Sequence, residues 1–143
     1  MKKLLLLVAL LTTFATQAQD WQTDLATAKV LAQKGNKKII LVFQGSDWCA
    51  PCIKLERTIW NSEEFKALAK DKLVMLKADF PRKKKNQLAK EQQAKNNVLA
   101  EAYNSKGHFP YVVVLDKKGE VLGATGYKKK LSPKEYFELL NSF

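Results

Sequence analysis

The residues best suited to chemistry are Cys49 and Cys52, the only two cysteines in a chain of 143 residues. A structural disulfide gains most by closing a long loop of the unfolded chain, and a pair separated only by Ala50 and Pro51 closes almost none. A structural zinc ion takes four ligands, and beyond the two thiols the chain offers a single histidine, His108. A redox pair fits better, because the second thiol can reach the mixed disulfide formed by the first and release the bound partner. If the run after Cys49 is helical, Cys49 meets unpaired backbone N–H groups and the positive end of the helix dipole, which stabilise a thiolate. Cys49 is then the expected nucleophile. Cys52, nearly one turn further in, is the expected resolving thiol, more buried and protonated until a mixed disulfide forms.

The flanking sequence supplies the elements that must hold this pair. Ile39-Ile40-Leu41-Val42-Phe43 is a short apolar run rich in branched residues, as in a strand covered on both faces. Gln44 to Trp48 reads as a turn, after which Cys52, Leu55, Ile59 and Trp60 recur at helical spacing. Before the strand, Thr23 is placed to cap a helix from about Asp24 to Lys34, with Leu25, Ala28, Leu31 and Ala32 on one face and Gly35-Asn36 ending it. After the cysteines, Ser62 caps a short helix from Glu63 to Lys70, and Leu73 to Ala78 reads as a second buried strand. Residues 81–97 carry only Leu88 as a large apolar side chain and read as an exposed basic helical insertion. Val98, Leu99, Ala102 and Tyr103 are expected to dock the rest of that helix on the core. Tyr111 to Leu115 and Glu120 to Thr125 form a hairpin around Asp116-Lys117-Lys118-Gly119, and Ser132-Pro133-Lys134-Glu135 is a capping box opening a last amphipathic helix. This order predicts one α/β domain over residues 19–143, a central mixed β-sheet flanked by helices on both faces.

Gly45-Ser46-Asp47-Trp48-Cys49-Ala50-Pro51-Cys52 resembles the Trp-Cys-Xaa-Pro-Cys signature of the thioredoxin family. The resemblance continues through Ala78-Asp79-Phe80-Pro81, Asn97 to Gly107, Phe109-Pro110, Gly119 and Gly126, and so covers nearly the whole of residues 19–143. It implies a thioredoxin-like fold and thiol–disulfide oxidoreductase activity. It also implies a substrate rim formed by Trp48, Ala50, Pro51, Phe109 and Pro110, with Pro110 at the family's cis-proline position. Two departures stand out. Phe43 occupies the position where thioredoxins usually bury an acid, and Met75 aligns with the lysine that often partners it, so the proton acceptor for Cys52 must be sought elsewhere, with Glu56 and water as candidates. Ala50 replaces the commoner glycine, Tyr111 stands where threonine is usual, and His108 is an extra residue before Phe109. Trp21 and Trp60 read as packing residues, Asp47 as a solvated turn acid and His108 as a surface histidine.

Lys2 and Lys3, the apolar run Leu4 to Leu11, and small and polar residues up to Ala18 form the pattern of a signal peptide over residues 1–18. The apolar run is well short of the roughly 20 residues of a membrane helix. The expected product is a soluble monomer, periplasmic or secreted, needing neither cofactor nor metal. Its formal net charge of +11 is only modestly lowered by loss of Lys2 and Lys3. The basic residues fall in solvated runs without the interleaved aromatics that stack bases, and export also argues against a nucleic-acid partner. The charge reads as solubility with mild steering toward acidic partners. A docking role for the segment Arg82 to Lys95 stays open. The expected partners are disulfide-containing exported proteins, reduced rather than oxidised, together with a membrane electron donor such as serves relatives of this kind, because exported compartments are oxidising. The alternatives are an oxidase or isomerase of the same fold, and a dithiol that binds Cu(I).

Overall fold

The computed structural model describes residues 18–143, so the expected leader lies, apart from Ala18, outside the described residues. The elements run β1 (Trp21–Gln22), α1 (Leu25–Gly35), β2 (Lys38–Gln44), α2 (Ala50–Leu55), α3 (Glu63–Ala69), β3 (Leu73–Asp79), α4 (Lys90–Tyr103), β4 (Tyr111–Leu115), β5 (Val121–Thr125) and α5 (Pro133–Ser142). A π-helical stretch, Glu56–Trp60, continues α2. The strands form one mixed sheet in the order β1-β3-β2-β4-β5, with β3 parallel to β1 and β2, and β4 antiparallel to β2 and β5. Among the described residues no helix is long and apolar enough to cross a membrane.

The near-continuous apolar run of β2 has the predicted cause, for its residues face two cores in alternation. Ile40 and Val42, with Met75 of β3 and Val112 and Val114 of β4, pack against Leu55, Trp60, Phe65, Tyr136 and Leu140 from the helices on one side. Ile39, Leu41 and Phe43, with Leu76 and Val113, pack against Ala28 and Ala32 of α1 and Leu99 of α4 on the other. Full burial of side chains of this size contributes about 1.5–3 kcal/mol each, so the central strand is the best-anchored part of the molecule. Trp60 is the hub of its side, with its ring 5.0 Å from Phe65, 5.4 Å from Tyr136 and 6.0 Å from the half-buried Trp21, all edge-on.

Several expectations need correction. The edge strand β1 escapes sequence reading because two residues cannot display an alternation; its pairing of Trp21 with Met75 is fixed by a strand far along the chain. Residues 81–97 are not one exposed helix: Lys84–Asn86 make a single 3-10 turn, and α4 starts only at Lys90. The docking face of α4 is also rotated from the predicted one. Asn96 and Leu99 are buried, whereas Val98 is 65% exposed and Ala102 faces solvent. Asn96 is tolerated inside because its side-chain amide donates to the Asp79 carbonyl at 2.9 Å and its oxygen accepts from Gln92. Leu31 is likewise 37% exposed rather than inside.

The cap of α1 is Asp24, one residue beyond Thr23, its carboxylate accepting from the Thr27 amide at 2.9 Å and pairing with Lys95 at 3.0 Å. The Thr27 amide first, and the Lys95 ammonium after it, lower the Asp24 pKa from 3.8 to about 2. Because the folded-state value is the depressed one, this contribution is complete above about pH 4 and lost as pH falls through about 2. Acid titration of Asp24→Asn should therefore show a smaller loss of stability between those values than the parent protein; equal losses would remove Asp24 from the account.

Candidate active site

The topology gathers the site at one end of the sheet. Parallel β2 and β3 both finish there, and antiparallel β4 begins there, so the segments after Gln44, after Asp79 and before Tyr111 converge. Cys49 is the N-cap of α2, with extended backbone, and its sulfur accepts from the Cys52 amide at 3.3 Å. Pro51 lies in the first turn, where its missing N–H costs nothing. Cys49 and Cys52 are joined as a disulfide. The expected difference in burial is absent in this oxidised state, with Cys49 4% and Cys52 3% exposed, while Ala50 and Pro51 are exposed beside them.

Two carboxylates hold the motif loop. Asp79 accepts from the Ser46 amide at 2.9 Å and the Ser46 hydroxyl at 2.6 Å, fixing the start of the loop to the end of β3. Asp47 is solvent-accessible, as expected from sequence, but it also has a structural role that the sequence does not show. Its carboxylate accepts from the amides of Arg82 and Lys83, at 2.9 and 3.0 Å, and from the Asn86 side chain at 2.9 Å, tying the basic segment to the residue beside Trp48. The Arg82 amide is the leading cause of a lowered Asp47 pKa, with Asn86 next.

Trp48 spans the two loops. Its indole N–H donates to the Phe80 carbonyl at 2.7 Å, the Arg82 guanidinium lies 3.6 Å from its ring centroid, and the Phe109 ring stands edge-on at 5.4 Å. Phe80 adds a further edge-on contact with Phe109 at 5.6 Å. Gly45 is required beneath this rim, since a Cβ there would run into the Trp48 indole. Gly45→Ala should shift the Trp48 emission and cost about 1–3 kcal/mol by overpacking. A wild-type emission spectrum and unfolding midpoint would contradict this packing.

The third segment is set by residues that sequence reasoning missed. Asn104, 5% exposed, accepts from the His108 amide at 3.0 Å and donates to the His108 carbonyl at 2.9 Å, closing the loop that delivers Phe109. The Phe109–Pro110 peptide bond is cis. A Cβ on Gly126 would lie 3.6 Å from the Pro110 carbonyl oxygen, and the buried Tyr136 hydroxyl donates to the Gly126 carbonyl at 2.9 Å, linking this segment to the Trp60 core. Burial pushes the Tyr136 hydroxyl far above its ordinary pKa, so it remains a donor throughout the physiological range. His108 itself is exposed, its ring 5.8 Å from Tyr111.

Phe43 and Met75 are fully buried, but on opposite faces of the sheet. Phe43 pairs with Ala78 and Tyr111 and stacks on the Tyr111 ring at 6.4 Å, whereas Met75 pairs with Ile40 and Trp21 in the other core. Their apolar character thus has two separate packing causes rather than one shared loss of an ion pair. Glu56 lies one turn beyond Cys52, its carboxylate 3.5 Å from the Lys77 ammonium, which in turn sits 4.4 Å from the Trp21 ring centroid. A larger cleft, about 950 Å³, opens at the other end of the sheet beside Lys34, Lys70 and Leu73 and contains neither cysteine.

A mixed five-stranded sheet with a Cys-Xaa-Xaa-Cys pair opening a helix after its central strand is the arrangement of the thioredoxin fold. Residues 20–117 match the family model described as thioredoxin-like, and the chain belongs to that family. The disulfide bond reductase DsbH of Chlamydia pneumoniae is 39% identical over 109 residues, which are 76% of this chain and 63% of DsbH. The chain thus matches a little under two thirds of that relative's length. A solved structure described as DsbH oxidoreductase aligns with 94% of this chain and 90% of its own at 32% identity and a TM-score of 0.79. A disulphide isomerase from Xylella fastidiosa Temecula1, at 21% identity, 82% and 86% coverage and a TM-score of 0.60, shares the fold.

Proposed function

We propose that the protein is an exported thiol–disulfide oxidoreductase that reduces disulfides of other exported proteins through Cys49 and Cys52. The observation that carries this reading is the Cys49–Cys52 pair at the start of α2, where the sulfur of Cys49 receives a backbone N–H and the adjoining Trp48 ring meets Phe109. The Cys49 thiolate attacks one sulfur of a substrate disulfide. That S–S bond breaks, its other sulfur leaves as a thiolate and takes up a proton, and the first remains bonded to Cys49. Cys52 then loses its proton and attacks the Cys49 sulfur, expelling the second substrate thiolate and leaving the Cys49–Cys52 disulfide. Two electrons have passed to the substrate, and a dithiol donor, proposed to be a membrane reductase, must return them. Glu56, one turn from Cys52, is the candidate carboxylate for its proton. Trp48, Ala50, Pro51, Phe109 and Pro110 are proposed to line the substrate strand, with the Phe109 backbone available to pair with it.

The reductive direction is supported by the name of the Chlamydia relative, a disulfide bond reductase. The leader pattern over residues 1–18 supports export, to the periplasm or beyond. The discriminating experiment supplies dithiothreitol as electron source and follows cleavage of a disulfide-bonded protein, in parallel with oxidative refolding of a reduced one. Faster cleavage without faster refolding supports the reductase, and the reverse pattern would establish the oxidase.

A further inference from the structure

Resting on the redox reading above, we propose that the Arg82–Lys85 segment selects substrates in which acidic residues flank the disulfide, so that it acts as an electrostatic reader attached to the active-site rim. The segment contains four consecutive cations, Arg82, Lys83, Lys84 and Lys85, all exposed. None of the ion pairs among the described residues involves them, whereas the nearby Lys95 is already paired with Asp24. A basic run on a free loop would carry little positional information, but this one is fixed. Asp47 holds it through the backbone amides of Arg82 and Lys83 and the side chain of Asn86, and leaves the basic side chains outside those bonds. Asp47 is two residues from Cys49, so the cations are anchored to the same loop that presents the nucleophile.

Arg82 adds a second anchor, its guanidinium carbon lying over the Trp48 ring 3.6 Å from the centroid. The groove beside it, about 440 Å³ and lined by Trp48, Phe80, Arg82, Gln93 and Phe109 among others, has aromatic walls and a cationic edge. A polypeptide with carboxylates close to its cysteines complements that edge, and opposite charge near a reacting centre raises encounter rates about 10-fold or more at low salt.

The test uses synthetic peptides with one internal disulfide, identical except for flanking Glu, Gln or Lys, and measures the rate at which reduced protein opens each. The Glu peptide should react about 10 times faster than the Lys peptide at low ionic strength, and the ratio should shrink toward one as salt rises. Lys83→Gln, Lys84→Gln and Lys85→Gln together leave the Arg82–Trp48 stack and the Asp47 amide bonds in place, and should lower the ratio several-fold. Removing the same number of charges at the opposite end of the sheet, with Lys34→Gln, Lys72→Gln and Lys118→Gln, separates local reading from overall charge and should change the ratio little. Equal rates for the Glu and Lys peptides, or equal effects of the two triple variants, would overturn the proposal. Binding to phosphatidylglycerol vesicles with a peptide ratio near one would also overturn it, assigning the segment to a membrane surface. Failure to open any of the peptides would instead count against the redox reading itself.

Discussion

Cys52→Ser is expected to stop turnover and leave the protein tethered to its substrate through Cys49, because the first exchange proceeds and the second has no attacking thiol. Multiple-turnover reduction should fall by more than about 1,000-fold, since removing a nucleophile that acts covalently takes away the whole chemical route rather than a fraction of its driving force. Cys49→Ser should be as inactive but should trap nothing. The pair of variants separates the roles: mass spectrometry under non-reducing conditions detects a substrate adduct with Cys52→Ser and none with Cys49→Ser. The opposite pattern would exchange the nucleophile and resolving assignments. Burial cannot make this distinction in the disulfide state, where the two cysteines differ in exposure by almost nothing. The assignment rests on position in the helix: Cys49 is the cap and faces the free N–H groups, and Cys52 is already within the first turn.

The largest expected effect on stability comes from Phe43→Asp, which places an acid where thioredoxins usually have one. Here it removes a fully buried ring stacked on Tyr111 and leaves a carboxyl among Leu41, Leu76 and Ala78, at a cost of about 4 kcal/mol or more. That is a large part of the roughly 5–15 kcal/mol that stabilises a typical domain. Adding Met75→Lys should not help, because its side chain starts from the other face of the sheet. Denaturant unfolding of both single variants and the double variant measures the coupling, which should be destabilising or within about 0.5 kcal/mol of additivity. A double variant more stable than Phe43→Asp alone would show that the two positions meet after all.

The parts of this fold legible in sequence are those whose causes are local. β2 and β4 are continuous apolar runs, Ser62 and Ser132 cap the helices that follow them, and the Ser132–Glu135 capping box is closed in both directions. Cys49 and Cys52 were legible for the same reason, being a short pattern between a strand and a helix. What was missed depends on partners distant in the chain. Asp47 looks like an ordinary turn acid until the loop 35 to 39 residues later folds back onto it. Asn96 reads as a solvent-facing amide until the Asp79 carbonyl, 17 residues earlier, accepts its hydrogen bond and lets it be buried. Hydrophobic periodicity alone then gets only part of the α4 face: Leu99 and Tyr103 dock on the core as expected, but Val98 and Ala102 are counted as core and Asn96 is passed over. Asn104 offered a faint signal, a side-chain amide just ahead of Gly107 at a helix end, where local side-chain-to-backbone bonds are common.

The central claim, that Cys49 and Cys52 form a working reductant, is tested most directly by the equilibrium reduction potential of the pair. Protein comprising residues 19–143 would be equilibrated across glutathione and dithiothreitol buffers, with the dithiol fraction read by alkylation and by Trp fluorescence. The account predicts a reversible two-electron transition near about −270 mV, in the range of reducing thioredoxins. A value near about −120 mV, that of a strong oxidant, would contradict the reductive direction, and the absence of any reversible disulfide would contradict the redox function altogether.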